Sequence, residues 1–387
     1  MTQDGNGVEQ GRSVSASPAA ASPLLRLVLR TIDGSGGWLP FDRYMALALY
    51  APGLGYYSRS DRQFGGMPSS GSDFVTAPEL SPLFGAALAR QVEQALQATG
   101  TDEVWEFGAG SGALAAQLLA ALGNRAARYT LVELSAALRA RQRETLAPFG
   151  ERVRWLDALP ETMQGVVVGN ELLDAMPVQL LAWDGADWFE RGVVAATERP
   201  GEPAALRFED RPTALRPPFD AAFVPGSVTE IHPQSQAFVH TLAERLQCGA
   251  AFFIDYGFPE REYYLPERIG GTLMCHRAHL ADTDPLVDVG EKDITAHVDF
   301  SGLALDAQDA GFEVLGYTSQ ARFLFNCGLA TSMEEAQQRG DWPAVAAAQK
   351  LVAEHEMGEL FKVIGLVKGA TAFDAIGFAA GDRSHRL

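Results

Sequence analysis

The chain has 387 residues, of which 47% are hydrophobic, 9% aromatic and 21% charged. This composition excludes a disordered protein, a collagen-like repeat and a small disulfide-stapled protein. Acidic residues number 49 against 31 lysines and arginines, so the formal net charge is −18 at pH 7. Such a charge repels nucleic acid and favours a basic peptide as partner. The three cysteines form no CxxC pair, which is typical of a reducing compartment.

The N-terminal segment is predicted to be a tail rather than an export or membrane signal. The first 23 residues are rich in Gly, Ser, Ala and Pro, and LLRLVLR (24–30) is too short and too interrupted by arginine for a signal-peptide core. Asp4 and Glu9 disfavour a mitochondrial transit peptide, and no apolar run approaches the ~18 residues that span a bilayer. We expect a disordered tail over 1–30, no membrane insertion and a cytoplasmic location.

Residues 31–100 are predicted to form a helical lead-in. An aromatic helix is ended by Pro52 and Gly53, a Gly/Ser/Pro-rich loop covers 65–73, and a second helix starts after Ser81 with Pro82 at its first position. The aromatic side chains of this region form either a lid or part of the core, and the core is the more typical place for Tyr44, Tyr50, Tyr56 and Tyr57.

Strand–helix alternation begins after Gly100 and occupies 101–387. Helices separate short apolar strands at 104–107, 129–134, 153–156, 165–170, 250–256, 312–317 and 361–367. This pattern predicts an α/β fold with a doubly wound, Rossmann-like and mostly parallel sheet. Two insertions are expected, an antiparallel ribbon over about 179–230 and turns with polar loops over 257–299.

A glycine loop follows the first of these strands in the sequence EFGAGSG (106–112). Ligands bind at the carboxyl ends of parallel strands, where glycines bring the backbone close to them. The spacing also fits a dinucleotide, but Glu106 would repel a pyrophosphate and would complement the cationic S-adenosylmethionine (SAM). If the loop binds no ligand, the alternative interpretation is a Gly-rich turn whose acidic side chains are solvated. The loop residues assigned to the cofactor are Glu106, Gly108, Ala109, Gly110 and Gly112.

Two more acids end strands beside this loop. Glu133 ends the second strand, where a ribose-binding acid would lie, and Asp157 follows the third, where an adenine amino group could be accepted. Their neighbours Leu134 and Ala158 belong to the same predicted cofactor set. Three strand-end acids favour SAM over NAD.

The fourth strand is followed by Asn170, Glu171 and Asp174 in the sequence NELLDA. If 171–174 is a helical turn, Glu171 and Asp174 share one face and suit the planar donors of a guanidinium. They would orient this poor nucleophile and assist its loss of a proton. A simple capping turn is the structural alternative.

Two other polar clusters have structural alternatives to a functional role. Cys275, His276 and His279 lack a second ligand pair at metal-like spacing, and we expect no metal site. Asp299 is predicted to cap the following helix, whereas His297, beside Asp293, remains open between a capping and a proton-accepting role.

At these motifs the chain resembles the MidA-like methyltransferases. Their mitochondrial members are assembly factors of respiratory complex I that symmetrically dimethylate an arginine of a complex I subunit. The resemblance covers about Phe41 to Lys368 and rests on ALYAPGLGYYS, SDFVTAPELSPLFG, EFGAGSG, GNELLDAMPV and GEKDITAHVDF. One inserted residue in Gly71-Ser72-Asp73-Phe74 departs from the family's Gly-Asp-Phe and leaves the role of Asp73 open.

The resemblance implies a class I methyltransferase fold, SAM as donor and a protein arginine as acceptor. It places the glycine loop on the methionine part of SAM, Glu133 on the ribose and Asp157 on the adenine. Asn170, Glu171 and Asp174 would line the reaction site, and further pocket candidates are Thr76, Glu79, Tyr256 and His297. A non-catalytic assembly factor that keeps a SAM pocket is the alternative function, and an NAD-dependent oxidoreductase is a weaker one. The acceptor protein, the number of methyl groups and the oligomeric state stay open.

Overall fold

The computed structural model describes residues 21–59, 75–196, 205–219, 221–277 and 280–387. Its helices are α1 (Pro23–Gly34), α2 (Phe41–Tyr50), α3 (Ala77–Leu80), α4 (Pro82–Thr99), α5 (Ala113–Leu122), α6 (Ala136–Leu146), α7 (Pro233–Arg245), α8 (Glu260–Tyr263), α9 (Phe300–Asp309), α10 (Gln320–Asn326), α11 (Leu329–Gln338) and α12 (Trp342–Val352). Its strands are β1 (Leu39–Pro40), β2 (Glu103–Phe107), β3 (Arg128–Val132), β4 (Val153–Leu156), β5 (Met163–Asn170), β6 (Gln179–Trp183), β7 (Trp188–Ala195), β8 (Leu206–Pro212), β9 (Val228–Ile231), β10 (Leu246–Phe258), β11 (Met274–Arg277), β12 (Leu280–Asp282), β13 (Asp293–Thr295), β14 (Val298–Asp299), β15 (Glu313–Ser319) and β16 (Phe361–Lys368).

The main sheet has the strand order β15-β16-β10-β5-β2-β3-β4, and β14 pairs with the end of β10. Strands β4, β3, β2, β5 and β10 are parallel neighbours, whereas β16 runs antiparallel to both β10 and β15. Chain order reverses between β2 and β5, which is the switch point where open α/β sheets bind ligands. The expected doubly wound, mostly parallel sheet is confirmed.

Two apolar layers cover the two faces of this sheet. Val166 and Val168 of β5 point to the layer that contains α4 and α5, and Val167 points to the layer that contains α7 and α9. All three valines are fully buried. Strands covered on both faces are continuous apolar runs, which explains why the sequence pattern predicts them well.

The tail expected over 1–30 is wrong for its last eight residues, because α1 begins at Pro23. Ser22 caps this helix by accepting a hydrogen bond from the Leu25 N–H at 3.1 Å. Leu24, Val28 and Ile32 recur every four residues and are buried together. Residues 1–20, and the loop predicted over 65–73, lie outside the described residues. The predicted start of α4 is confirmed, with Ser81 as N-cap and Pro82 first in the helix.

The first insertion supplies β6, β7, β8 and β9 of a five-stranded antiparallel sheet, to which the lead-in adds β1. The strand order is β1-β7-β6-β9, and β8 pairs with β7. The second insertion differs from the expected turns and loops, because β11, β12 and β13 form a small sheet. Cys275 and Ile294 pair across its strands and are buried against Tyr44 of α2. One side of this small sheet is therefore buried against the lead-in, which could not be predicted from the polar sequence of the segment. Among the described residues, no helix has the length and apolar character needed to cross a membrane.

Candidate active site

The glycine loop leaves β2 and enters α5 at the switch point of the sheet. Gly108, Gly110 and Gly112 all have positive φ angles, of 67°, 50° and 83°. A Cβ on Gly108 would also lie 3.1 Å from the Leu172 side chain, so this position tolerates little besides glycine. Because α5 starts directly after the loop, its first backbone N–H groups have no partner within the helix and are available to a ligand.

A cavity of about 1250 Å³ lies at the carboxyl ends of β2, β3, β5 and β10. This volume exceeds the usual range for one small ligand and leaves space for a cofactor and an acceptor side chain. The predicted residues on its wall are Thr76, Glu79, Glu106, Gly108, Ala109, Gly110, Glu133, Leu134, Asn170, Glu171, Asp174 and Tyr256.

Four predicted residues do not line the cavity. Gly112 is the last residue of the loop and the N-cap of α5. Asp157 and Ala158 are exposed just after β4, so their contact with an adenine ring remains a prediction. His297 packs edge-on against the Tyr256 ring with the centroids 5.1 Å apart, so it contacts the wall and not the cavity itself.

Glu106 is buried beneath the glycine loop, with an exposed fraction of 2%. Its Oε2 accepts a hydrogen bond from the Tyr129 hydroxyl at 2.6 Å. Burial raises the pKa of Glu106 to about 7, and the Tyr129 hydrogen bond opposes only part of that rise. A cationic ligand at this position would stabilise the ionised carboxylate, which is the chemistry expected of the SAM amino group.

Glu133 follows β3 and lines the cavity, and hydrogen bonds fix the position of its carboxylate. Its Oε1 accepts from the Ser135 N–H at 2.8 Å and its Oε2 from the Gln142 amide at 3.1 Å. Gln142 is itself held by the Trp155 indole N–H at 3.0 Å. Each oxygen of Glu133 keeps further acceptor capacity, so the pair fits the two hydroxyl donors of a ribose. The residues of this half of the cavity therefore fit SAM.

The turn after β5 carries the predicted reaction-site acids, but it is not helical. Glu171 has a φ of +50°, in the left-handed region that non-glycine residues rarely adopt. Its N–H donates to the Ile254 carbonyl at 2.9 Å, which ties the turn to β10. The helical turn considered for 171–174 does not form, but Glu171 and Asp174 still both line the cavity.

Asp255 of β10 holds this turn and was not assigned to the site from the sequence. Its Oδ2 accepts three consecutive backbone N–H groups, from Leu172 at 3.0 Å, Leu173 at 2.8 Å and Asp174 at 3.3 Å. The available signal was its position as another acid at the end of a buried parallel strand, like Glu106 and Glu133.

The two acids predicted for the reaction site, Glu171 and Asp174, resist ionisation. Burial and then the nearby Asp174 raise the pKa of Glu171 to about 8. Burial raises the pKa of Asp174 to about 6, and a hydrogen bond from Tyr256 opposes this rise. Two buried acids with raised pKa values favour a cationic ligand between them.

Three buried oxygens of the cavity wall have no hydrogen-bond donor among the described residues. They are Glu79 Oε2, Asn170 Oδ1 and Asp174 Oδ1. Buried acceptors are usually paired, and leaving one unpaired costs about 1–3 kcal/mol. This side of the cavity therefore suits a ligand with several N–H donors.

The lead-in and the second insertion supply wall residues that the sequence did not assign to the site. The Tyr57 hydroxyl donates to Asp293 at 2.8 Å, and the Tyr50 hydroxyl donates to the Ala175 carbonyl at 2.8 Å. The two tyrosine rings stack 5.6 Å apart, and both line the cavity with Asp293. The expectation of core tyrosines holds for Tyr44 and Tyr56, which are buried in the apolar core.

The predicted cap is confirmed, because the Asp299 side chain accepts the Ser301 and Gly302 N–H groups at the start of α9. Within the described residues no cluster of three or more His, Cys, Asp or Glu has metal-like geometry, and His279 lies outside them.

Comparison with known proteins points to one class of enzyme. The Methyltransf_28 family model, which describes S-adenosyl-L-methionine-dependent methyltransferases, matches residues 87–318. Protein arginine methyltransferase NDUFAF7 of Danio rerio is 28% identical over 93% of this chain and 90% of its own, and that of Homo sapiens is 27% identical over 89% and 83%.

Two crystal structures from Burkholderia thailandensis have nearly the same fold. A COG1565 superfamily member bound to S-adenosylhomocysteine is 51% identical, covers 94% of this chain and 96% of its own, and has a TM-score of 0.87. A native structure from that superfamily is 50% identical, with the same coverage and a TM-score of 0.84.

Proposed function

Because this chain belongs to the Methyltransf_28 family of S-adenosyl-L-methionine-dependent methyltransferases, with SAM as its cofactor, we propose that it methylates the guanidinium of an arginine in a protein. The observation that carries the proposal is the set of three buried acceptor oxygens without a donor, on Glu79, Asn170 and Asp174. A guanidinium presents five N–H donors in one plane and can satisfy several acceptors at once.

The residues of the glycine-loop half would hold the cofactor. Glu106 and the backbone N–H groups of the loop would bind its amino acid part, and Glu133 would bind its ribose hydroxyls. SAM supplies an electrophilic methyl group, which an oriented nucleophile displaces from sulfur in line. Asp157 and Ala158 remain proposed adenine contacts beside this half.

Glu171 and Asp174 would prepare the acceptor nitrogen. A guanidinium cation is a poor nucleophile until a carboxylate orients it and receives its proton. A guanidinium held against Glu171 would stabilise the ionised form of this carboxyl, whose pKa is about 8 without a cation, and the carboxylate could then take up the proton. Asn170 donates to Glu171 at 3.0 Å, and the Ala77 N–H donates to the same oxygen at 3.4 Å, so the carboxylate is held in place.

Thr76, Glu79 and Tyr256 would complete the acceptor side of the cavity. Tyr256 donates to Asp174, and His297 packs on the Tyr256 ring from behind. We assign His297 to support of this ring. The relatives named protein arginine methyltransferases, at 27–28% identity, agree with this acceptor chemistry.

The experiment is methyl transfer from labelled SAM to arginine-containing proteins, with methylarginine identified by mass spectrometry. Glu171→Gln should lower kcat by at least about a hundredfold, the usual range for a lost general base. Its affinity for S-adenosylhomocysteine should stay within twofold of wild type. Glu161→Gln, an exposed glutamate outside the cavity, is the matched control and should keep full turnover. Transfer of the label to lysine instead of arginine would contradict the proposal, and so would unchanged turnover of Glu171→Gln.

A respiratory complex I subunit is the acceptor that we propose to examine first, because the family resemblance implies it. Mass spectrometry of complex I subunits from cells with and without the gene would show whether an arginine loses its methyl groups. Cell fractionation tests the cytoplasmic location that belongs to the same proposal. If S-adenosylhomocysteine binds but no cellular protein is labelled, a partner-binding role without catalysis becomes the better explanation.

A further inference from the structure

The turn Glu354–Gly358, which follows α12, borders the cavity. Glu356 and Met357 of this turn and the nearby Leu360 line the same cavity as Glu171. Glu356 is exposed, and within the described part of the chain it makes neither an ion pair nor a side-chain hydrogen bond. Its carboxylate is therefore available to a molecule that enters the cavity.

The backbone of this turn determines where Glu356 lies. Glu356 leaves helical geometry, with φ of −112° and ψ of −107°. The N–H groups of Glu356 and Gly358 both donate to the Ala353 carbonyl, at 3.1 and 2.9 Å. A Cβ on Gly358 would collide with the Val352 carbonyl, so this turn conformation requires glycine at position 358. Glu356 is thus placed by main-chain contacts and keeps its side chain free.

Acidic groups of the cavity wall favour a positively charged residue over a negatively charged one in the acceptor segment. On another part of the wall, Glu79 has a buried oxygen without a donor, and the whole chain carries a net charge of −18. A basic residue in the acceptor would meet an unpaired carboxylate, whereas an acidic one would be repelled. An exposed ion pair of this kind changes affinity by about two- to fivefold.

We propose that Glu356 contacts the residue beside the methylated arginine and selects acceptor segments in which that residue is lysine or arginine. This inference rests on the proposed arginine methyl transfer and adds the chemistry of the acceptor segment. The occupant is an extended basic stretch of the acceptor protein, with its central arginine directed toward Glu171.

The test uses the full chain and three peptides with one central arginine, flanked on both sides by Lys, Ala or Glu. Wild-type KM should be lowest for the Lys-flanked peptide, about two- to fivefold below the Ala-flanked one, and highest for the Glu-flanked peptide. Glu356→Lys should reverse this order. Glu354→Lys changes the net charge equally in the same exposed turn, but Glu354 does not line the cavity, so it should keep the order.

Peptide affinity in the presence of S-adenosylhomocysteine, measured by fluorescence anisotropy, separates this inference from the proposed function. The same order of affinities without methyl transfer would support the role of Glu356 and overturn the proposed function. Methyl transfer with equal KM for all three peptides would overturn the role of Glu356 and leave the proposed function standing. An equal effect of Glu354→Lys and Glu356→Lys would also overturn it, because a general field would then explain the preference.

Discussion

Glu171 combines two costly features at one position. Its left-handed backbone costs about 1–2 kcal/mol for a residue with a side chain, and its carboxyl is buried beside Asp174. Such local strain persists only where surrounding contacts impose it, here through the bond to the Ile254 carbonyl and the turn held by Asp255. We attribute the strain to the need to present this carboxyl to the acceptor.

The raised pKa of Glu171 predicts how its replacement changes stability. Between pH 4.5 and about 8 the native state holds a proton that the unfolded state has lost, so this group lowers stability as the pH rises through that window. Glu171→Gln removes the effect. Its free energy of unfolding relative to wild type should therefore increase by about 1–4 kcal/mol between pH 5 and pH 9.

Urea unfolding of both proteins without ligand, at pH 5 and pH 9, measures that difference. Titrating groups that do not interact with Glu171 cancel in the comparison, whereas the neighbouring acids Asp174 and Asp255 contribute to the measured difference. A variant that loses stability relative to wild type as the pH rises would show that Glu171 is ionised and stabilised in the native protein.

At the scale of elements, the turn between β5 and β6 depends on the end of β10. Three successive N–H groups of the turn converge on one oxygen of Asp255, and its other oxygen accepts the Tyr256 N–H at 3.0 Å. The neighbouring strand thus orients the turn that carries Glu171 and Asp174. Asp255 is a positioning residue, because it acts through the acids that face the cavity.

Asp255→Ala should remove the acceptor of the three backbone donors of this turn, and that of the Tyr256 N–H, and should disorganise the turn. We expect kcat to fall at least tenfold while the affinity for S-adenosylhomocysteine changes less than threefold, since the glycine loop lies on another strand. Asp255→Asn keeps an acceptor oxygen and should recover part of the activity. Turnover assays with SAM and calorimetry with S-adenosylhomocysteine give the two quantities.

Asp299→Ala is the matched control for Asp255→Ala. Asp299 is also buried and accepts two backbone N–H groups, at the start of α9, but it does not line the cavity. It should lower stability without a selective loss of kcat. If both variants lose turnover only in proportion to their stability, Asp255 has no specific positioning role.

At the scale of the molecule, the cavity is formed where the main sheet meets the lead-in and the second insertion. Main-sheet strands bring Glu106, Glu133 and Glu171, whereas the lead-in brings Tyr57 and the small sheet brings Asp293. The chain as a whole carries a net charge of −18, and the field of such a charge attracts basic acceptors.

Because of this charge, we expect the KM for the acceptor to depend on salt concentration, whereas the affinity for the cofactor should not. Salt screens exposed charges, with a Debye length of about 10 Å at 0.1 M. Raising NaCl from 0.05 to 0.5 M should increase KM for a Lys-flanked arginine peptide at least threefold. The affinity for the zwitterionic S-adenosylhomocysteine should change less than twofold. An unchanged KM in steady-state assays would contradict electrostatic attraction of the acceptor.

Local sequence alone was sufficient for the main sheet and for the position of the glycine loop, Glu106 and Glu133 on the cavity wall. The apolar runs at β5 and β10 are buried on both faces, so their composition identifies them without knowledge of their neighbours. Glu106 and Glu133 could be predicted as cavity residues because they lie at the carboxyl ends of the short apolar strands β2 and β3. The predicted tail failed at α1 because Leu24, Val28 and Ile32 are buried by packing against α2 and β7, which the local sequence does not reveal.

Only the tertiary structure decided how the half of the cavity that we propose for the acceptor is completed. The contacts of Tyr57 with Asp293, and of Asp255 with Leu173, join residues 236 and 82 positions apart. The left-handed φ of Glu171 likewise depends on a bond to a neighbouring strand. A periodic pattern reports which face of its own element is buried, whereas contacts between distant segments depend on how whole elements pack.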